Sequence, residues 1–184
     1  LEMVDQVEGI QRVRYMTSHP KDLSNEVIEV IKNSKHICRH FHLPVQYGSN
    51  RILKAMNRVY TVEQYRDLVA RIRAAVPEAS LTTDLIVGFP GETEVEDAVK
   101  HQRLNRLMEL QNSISLEINQ QLVGRTLEVM VEGPSHTDET VWNGRTDTNK
   151  LVLWQYTGKE KPGDLVKVKI QQAQTWILKG TLEA

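Results

Sequence analysis

Three groups of residues carry side chains that could do chemistry. The first is the loop Gly88-Phe89-Pro90-Gly91, which follows the apolar run Leu81–Val87 and precedes Glu92. Glycines at such a place let backbone approach a ligand or take a positive φ, and Pro90 removes a donor. The second is the polar turn Gln46-Tyr47-Gly48-Ser49-Asn50, where Gln46 and Ser49 have groups that can hold hydroxyls or a carboxylate. The third gathers Arg125, Arg145 and Lys150 with Trp142, Asn143 and Asn149. Guanidinium, indole and amide groups together can hold phosphates and stack bases. Each group also has a structural reading: a βα turn, a helix cap, and an ion-paired barrel surface. His19 falls at a strand's C-terminal end, where it could face a ligand, though a histidine there more often serves the loop backbone.

These groups need elements to hold them. Leu81–Val87 is nearly all apolar or β-branched, which predicts a strand covered on both faces, as in a parallel sheet. Ile10–Met16 and Ile37–Val45 read as two further strands, the first leaving through Thr17-Ser18-His19-Pro20. Leu1–Glu8 reads as a short helix ended by Gly9. Ser24 caps a helix over 25–33, and Ser49 is an N-cap for one over 50–57. Thr61 with Glu63 and Gln64 is a capping-box signal for a helix that Pro77 stops, with Arg66, Arg71 and Arg73 on its solvated faces. The helix–strand alternation implies right-handed βαβ units and puts all three strand exits on one edge.

The pattern then changes. From Val99 apolar residues recur at three and four (Leu104, Leu107, Met108, Ile114, Ile118), which predicts one long connecting helix. From Arg125 the sequence alternates as β: 126–133, a hairpin turning at Asn143-Gly144 or Asp147–Asn149, a Pro162-Gly163-Asp164 turn before 165–170, and a strand over 176–182. The expected architecture is α/β: a partial (βα) barrel with three parallel strands at 1–97, a connector helix at 98–123, and a small all-β barrel at 124–184.

The 184 residues are 40% hydrophobic and 26% charged with a net charge of −1, which excludes a global basic field. No apolar run approaches a membrane span, so the expected location is the cytoplasm with no membrane partner. Cys38 is the only cysteine, so neither an intrachain disulfide nor a cysteine-bound metal centre can be built from it. It reads as a small buried hydrophobe. The start at Leu1 reads as the interior of a longer polypeptide.

Taken together, SHPKDLS, HLPVQYGSNRILKAMNRVYT, LTTDLIVGFPGET, RLNRLMELQNSISLEIN, GRTDTNKLV and QTWILKGTL resemble the radical-SAM tRNA methylthiotransferases, closest to the branch that methylthiolates isopentenyladenosine beside the anticodon. The resemblance implies a partial radical-SAM barrel followed by a TRAM domain, a small β-barrel that binds tRNA. It implies S-adenosylmethionine and two [4Fe–4S] clusters as cofactors, tRNA as partner, and an electron donor such as a flavodoxin or ferredoxin. One cluster cleaves S-adenosylmethionine to a 5′-deoxyadenosyl radical, which takes hydrogen from C2 of the adenine. The second supplies sulfur, and another S-adenosylmethionine supplies the methyl group.

By that resemblance Gln46, Gly48 and Ser49 face the ribose and methionine parts of the cofactor, and Ile86, Gly88 and Glu92 pack against its adenine. Arg125, Trp142, Arg145 and Lys150 are the expected RNA contacts. No residue is expected to transfer a proton. Two departures stand out. Cys38 matches no cluster ligand, and after Glu94 the family's next helix and sixth strand are missing, as if two pieces were joined across a gap. A fragment of this kind is expected to be inactive alone. The competing expectations are a non-catalytic RNA-binding module built on the β-barrel, and an ordinary α/β enzyme with a phosphate-bearing ligand. The absence of a P-loop or a full G-x-G-x-x-G counts against the last.

Overall fold

A computed structural model describes residues 1–16 and 19–183. Thr17 and Ser18 of the expected first exit loop lie outside the described residues. The chain divides into two compact units, Leu1–Glu94 and Val95–Ala184.

The first unit holds α1 (Glu2–Asp5), α2 (Asn25–Asn33), β1 (His40–His42), α3 (Asn50–Ala55), α4 (Val62–Ala75) and β2 (Ser80–Thr82). The caps are where the sequence puts them. Ser24 Oγ accepts from the Val27 amide. Thr61 Oγ1 accepts from the Gln64 amide while Gln64 Oε1 accepts from that of Thr61, a complete capping box. Ile28 and Ile31 of α2 and Leu68 and Ile72 of α4 close over Phe41, which is fully buried in the middle of β1. Cys38 is buried as expected.

The sheet is parallel, with β1 beside β2, His40 opposite Ser80 and His42 opposite Thr82. The strands are shorter than the apolar runs suggest. Ile10–Met16 contributes one parallel bridge, Val13 to Ile37. Beyond β1 the ladder breaks at Pro44, which has no N–H to give, and the Val45 amide turns to the Thr83 hydroxyl at 2.9 Å. Pairing resumes once, at Gln46 with Leu85. Leu85 and Val87 remain 52% and 82% exposed, so the stretch expected to be covered on both faces is open here. Glu92–Glu94 is irregular. Leu1–Glu8 forms only α1, and Gly9 sits at φ +87°.

The second unit begins with α5 (Asp97–Gln120), whose stripe of Leu104, Leu107, Met108 and Ile114 is exposed. Then come β3 (Thr126–Pro134), β4 (Val141–Arg145), β5 (Leu151–Gln155), β6 (Leu165–Ala173) and β7 (Ile177–Leu182), closed into a barrel in the order β3-β4-β5-β7-β6. All neighbours are antiparallel except β5 and β7. Closure leaves no free edge among these strands. Val129, Val131, Val152, Val168, Ile170 and Leu178 fill the interior around Trp154. Of the two candidate hairpin turns, the chain uses the second: Thr146 donates to Lys150 O, and Asn149 takes φ +64°. Asn143 and Gly144 lie inside β4 instead. Pro162-Gly163-Asp164 is the expected turn, with Gly163 at φ +94°.

Candidate cofactor wall and nucleic-acid surface

In the first unit the ends of the parallel strands are tied to each other backbone to backbone. The Gln46 amide donates to Asp84 O at 3.0 Å, and the Ile86 amide donates to Gln46 O at 2.8 Å. This puts the two polar exits side by side, as the alternation of elements implies. Gln46 sits at φ +67°, rare for a residue with a Cβ. It is buried, and its side-chain Oε1 has no hydrogen-bond partner. A buried amide oxygen left unpaired costs on the order of 1–3 kcal/mol, so the site suits an incoming N–H or O–H donor. Ser49 precedes α3 as its N-cap, yet its hydroxyl makes no cap bond. Space is open around Gly48 and Gly88, and Ile86 is half exposed.

The glycine loop is held from inside. Glu92 accepts from the Phe89 amide at 2.8 Å and the Gly88 amide at 3.2 Å, while Arg51 Nη1 donates to Gly91 O at 2.8 Å. Gly88 and Gly91 take φ of +79° and +91°, a bend that residues with a Cβ resist. The Phe89 amide, first, holds the Glu92 carboxyl below its ordinary pKa. A lowered carboxylate pKa gives the loop a clamp that is complete above the ordinary range, near 4.3, and is lost as pH falls through the lower folded value. The Phe89 amide proton resonance is therefore expected to titrate below the ordinary carboxylate range. A resonance that stays put on acidification, or one unchanged by Glu92→Gln, removes the clamp.

Sequence reasoning missed several supports of this edge. His42 Nε2 lies 3.3 Å from Asp84 Oδ2 and its Nδ1 lies 3.0 Å from Thr82 Oγ1. Tyr60 donates to the carbonyls of Pro44 and Val45, and Tyr65 to that of Leu43. They hold the segment that Pro44 leaves without ladder bonds. The capping-box helix carrying Tyr65 was legible, but its hydroxyl's target was not. His19 behaves as a loop residue: its Nδ1 accepts from the Lys21 amide, and its ring meets Tyr60 edge to face.

On the barrel, register separates residues that are near in sequence. Trp142 pairs with Trp154 in register and stacks on Tyr156, ring centroids 4.1 Å apart and 4° from parallel. Arg145 is at the other end of β4, where Nε meets Glu132 at 3.3 Å and Nη1 donates to Asn149 O. Lys150 donates to Asn119 Oδ1 at 2.7 Å, and burial lowers its pKa. Arg125 has an exposed side chain just before β3, whose start lies at the Arg145 end. So Arg125, Arg145 and Lys150 share one end of the barrel, and Trp142 belongs to the opposite one.

The radical SAM superfamily model matches residues 1–104, and the TRAM domain model matches residues 120–182. The chain belongs to the radical SAM superfamily. This radical SAM chain is also similar to curated relatives named tRNA-2-methylthio-N(6)-dimethylallyladenosine synthase. That of Moorella thermoacetica is 46% identical over 220 residues, covering 99% of this chain and 49% of the relative. Those of Desulforamulus reducens and Carboxydothermus hydrogenoformans are 44% and 46% identical, covering 98% and 97% of this chain and 47% and 49% of theirs. The chain thus spans about half the length of the curated relatives it matches. The 220 aligned residues exceed the 184 of this chain, so these relatives carry residues with no counterpart here.

The superfamily's cofactors are S-adenosylmethionine and iron–sulfur clusters. The unpaired Gln46 oxygen, the uncommitted Ser49 hydroxyl and the open glycine backbone fit the polar parts of S-adenosylmethionine. A cluster does not fit the described residues: they hold no group of three potential metal ligands, and Cys38 is buried in the core. No described helix is long and apolar enough to cross a membrane.

Proposed function

We propose that this radical SAM chain is part of a tRNA methylthiotransferase that modifies C2 of dimethylallyladenosine beside the anticodon. The observation that carries the reading is similarity of 41–46% identity over 97–99% of the chain to relatives that bear that activity in their names. In this reading Gln46, Gly48 and Ser49 orient the ribose and methionine ends of S-adenosylmethionine. Ile86 and Gly88 lie along its adenine, and Glu92 holds the loop that does so. When bound and reduced, S-adenosylmethionine supplies the radical and the methyl group; two [4Fe–4S] clusters held by other parts of the longer protein belong to the same reading. The TRAM barrel binds the tRNA through Arg125 and Arg145, with Lys150 and Trp142 in supporting positions. An electron donor such as a flavodoxin or ferredoxin and a cytoplasmic location complete it.

A second reading, a non-catalytic RNA-binding module, is favoured by one contrast: the β-barrel is closed, whereas Leu85–Val87 is open. A chimaera tests the barrel's part in the first reading. Residues 124–184 replace the matching barrel of the Moorella relative, and tRNA from cells carrying the chimaera is digested and analysed by mass spectrometry. The expected result is methylthiolated dimethylallyladenosine at a level near that of the parent relative. A stable, iron-loaded chimaera that leaves the nucleoside unmodified overturns the proposal that this barrel serves that reaction.

A further inference from the structure

Trp176 is the most exposed aromatic side chain identified on the barrel, at 63%. A free indole on a surface gains by being covered, because its large apolar face is left in water. The backbone beneath it is not loose. The Gln174 amide donates to Ile177 O at 2.8 Å, closing a tight turn. Asn119, buried at the end of α5, donates its one side-chain NH₂ group to both Gln174 O at 2.8 Å and Thr175 O at 3.0 Å. Its remaining acceptor is taken by Lys150. One buried amide and one lysine are thus spent on fixing the two residues before Trp176.

The parallel register of β5 and β7 sets Leu151 beside Ile177, so Trp176 comes level with Lys150. Arg145 pairs with Leu151 on the other side of β5, and Arg125 shares that end of the barrel. An exposed indole on a braced turn, with guanidinium groups at the same end, has the parts needed to stack one unpaired base while cations hold the flanking phosphates. Bracing keeps the ordering cost of binding low. We infer that Trp176 is a base-stacking contact for single-stranded RNA, and that Asn119 and Lys150 are the positioning residues that present it. This rests on the reading of the barrel as the RNA-binding part and adds a residue to it; Trp142, stacked on Tyr156 at the other end, is not that contact.

The test uses the whole chain, a fluorescently labelled single-stranded oligoadenylate, and an RNA duplex of equal length, with binding followed by anisotropy over a range of salt. Trp176→Ala is expected to weaken single-strand binding on the order of ten- to a hundredfold, the worth of one stacked base. Duplex binding, the slope of affinity against salt, and the thermal midpoint stay as they are, since no phosphate contact or core contact is lost. Trp176→Phe keeps most of the affinity. Arg145→Ala instead lowers the salt slope by about one phosphate contact. Equal single-strand affinity of wild type and Trp176→Ala, or an equal loss on duplex, overturns the inference while leaving the barrel as an RNA binder. If the wild-type chain binds neither RNA, the underlying reading fails and the inference with it.

Discussion

Gly180→Ala is expected to unfold the barrel at a much lower temperature than the wild-type chain while leaving the first unit intact. Gly180 lies where β7 passes between β5 and β6, opposite Trp154 on one side and Ile170 on the other. A Cβ there would stand 2.3 Å from Lys169 O and 2.8 Å from Val168 Cγ1. The nearer atom is backbone in a closed ring of strands, so it cannot swing aside as a side chain would. Overpacking of this kind costs about 3 kcal/mol, and at roughly 4–8 °C per kcal/mol the midpoint of a small domain falls on the order of 15–20 °C. Gly144→Ala is expected to do the same, because its Cβ would meet Met130 O at 2.2 Å. Gly158→Ala is the control: its φ of +89° carries strain but its surroundings are open, so the loss is about 1 kcal/mol. All three tryptophans lie in the second unit, so their fluorescence on heating reports the barrel alone. Equal midpoints for Gly180→Ala and Gly158→Ala would falsify the close-approach account.

The two glycines show what kind of information the sequence carried. Gly144 beside Asn143 has the composition of a hairpin turn, and that local cue competes with Asp147–Asn149. The structure uses Gly144 for a contact with β3, fourteen residues back, which no local pattern encodes. Features settled within three or four residues were legible: the Ser24 cap, the Thr61 box, the Gly163 turn, the alternation of β6. Strand lengths were not, because an apolar run records burial preference rather than hydrogen bonding. Pro44 cannot donate, and Thr83 takes over with its side chain, so the ladder stops sooner than the apolar pattern.

The candidate site divides the same way. That Gln46 and the glycine loop would meet at one sheet edge followed from the alternation of helix and strand, and the Gln46–Leu85 bridge makes them neighbours. That the Gln46 oxygen would be both buried and unpaired could not be read from its type. On the barrel, nearness in sequence grouped Trp142 with Arg145 and Lys150. Register sends Trp142 to the opposite end of β4, and the parallel pairing of β5 with β7 brings Trp176 level with Lys150 instead.

That replacement gives Lys150 a different task from a simple phosphate contact, and Asn119→Ala tests it. Its removal strips Gln174 and Thr175 of their donor and leaves the half-buried Lys150 ammonium without its acceptor. Stranding such groups costs about 2–3 kcal/mol. Lys150→Met removes the charge that needed a partner, so adding it to Asn119→Ala is expected to recover part of the loss. The two changes then couple by about 1 kcal/mol or more, whereas independent sites add to within about 0.5 kcal/mol. The pH dependence has a defined sign. Burial lowers the Lys150 pKa from 10.5 in the folded barrel, so over the interval between the lowered value and 10.5 the unfolded chain binds more protons. Stability therefore rises with pH through that interval, and below it the full cost of holding the charged form is present. Denaturant melts followed by tryptophan fluorescence are expected to show this rise in the wild type and its absence in Lys150→Met. Strict additivity of the two substitutions, with the same pH slope in both proteins, would mean that Lys150 acts independently of Asn119 and that the turn beneath Trp176 is held by Asn119 alone.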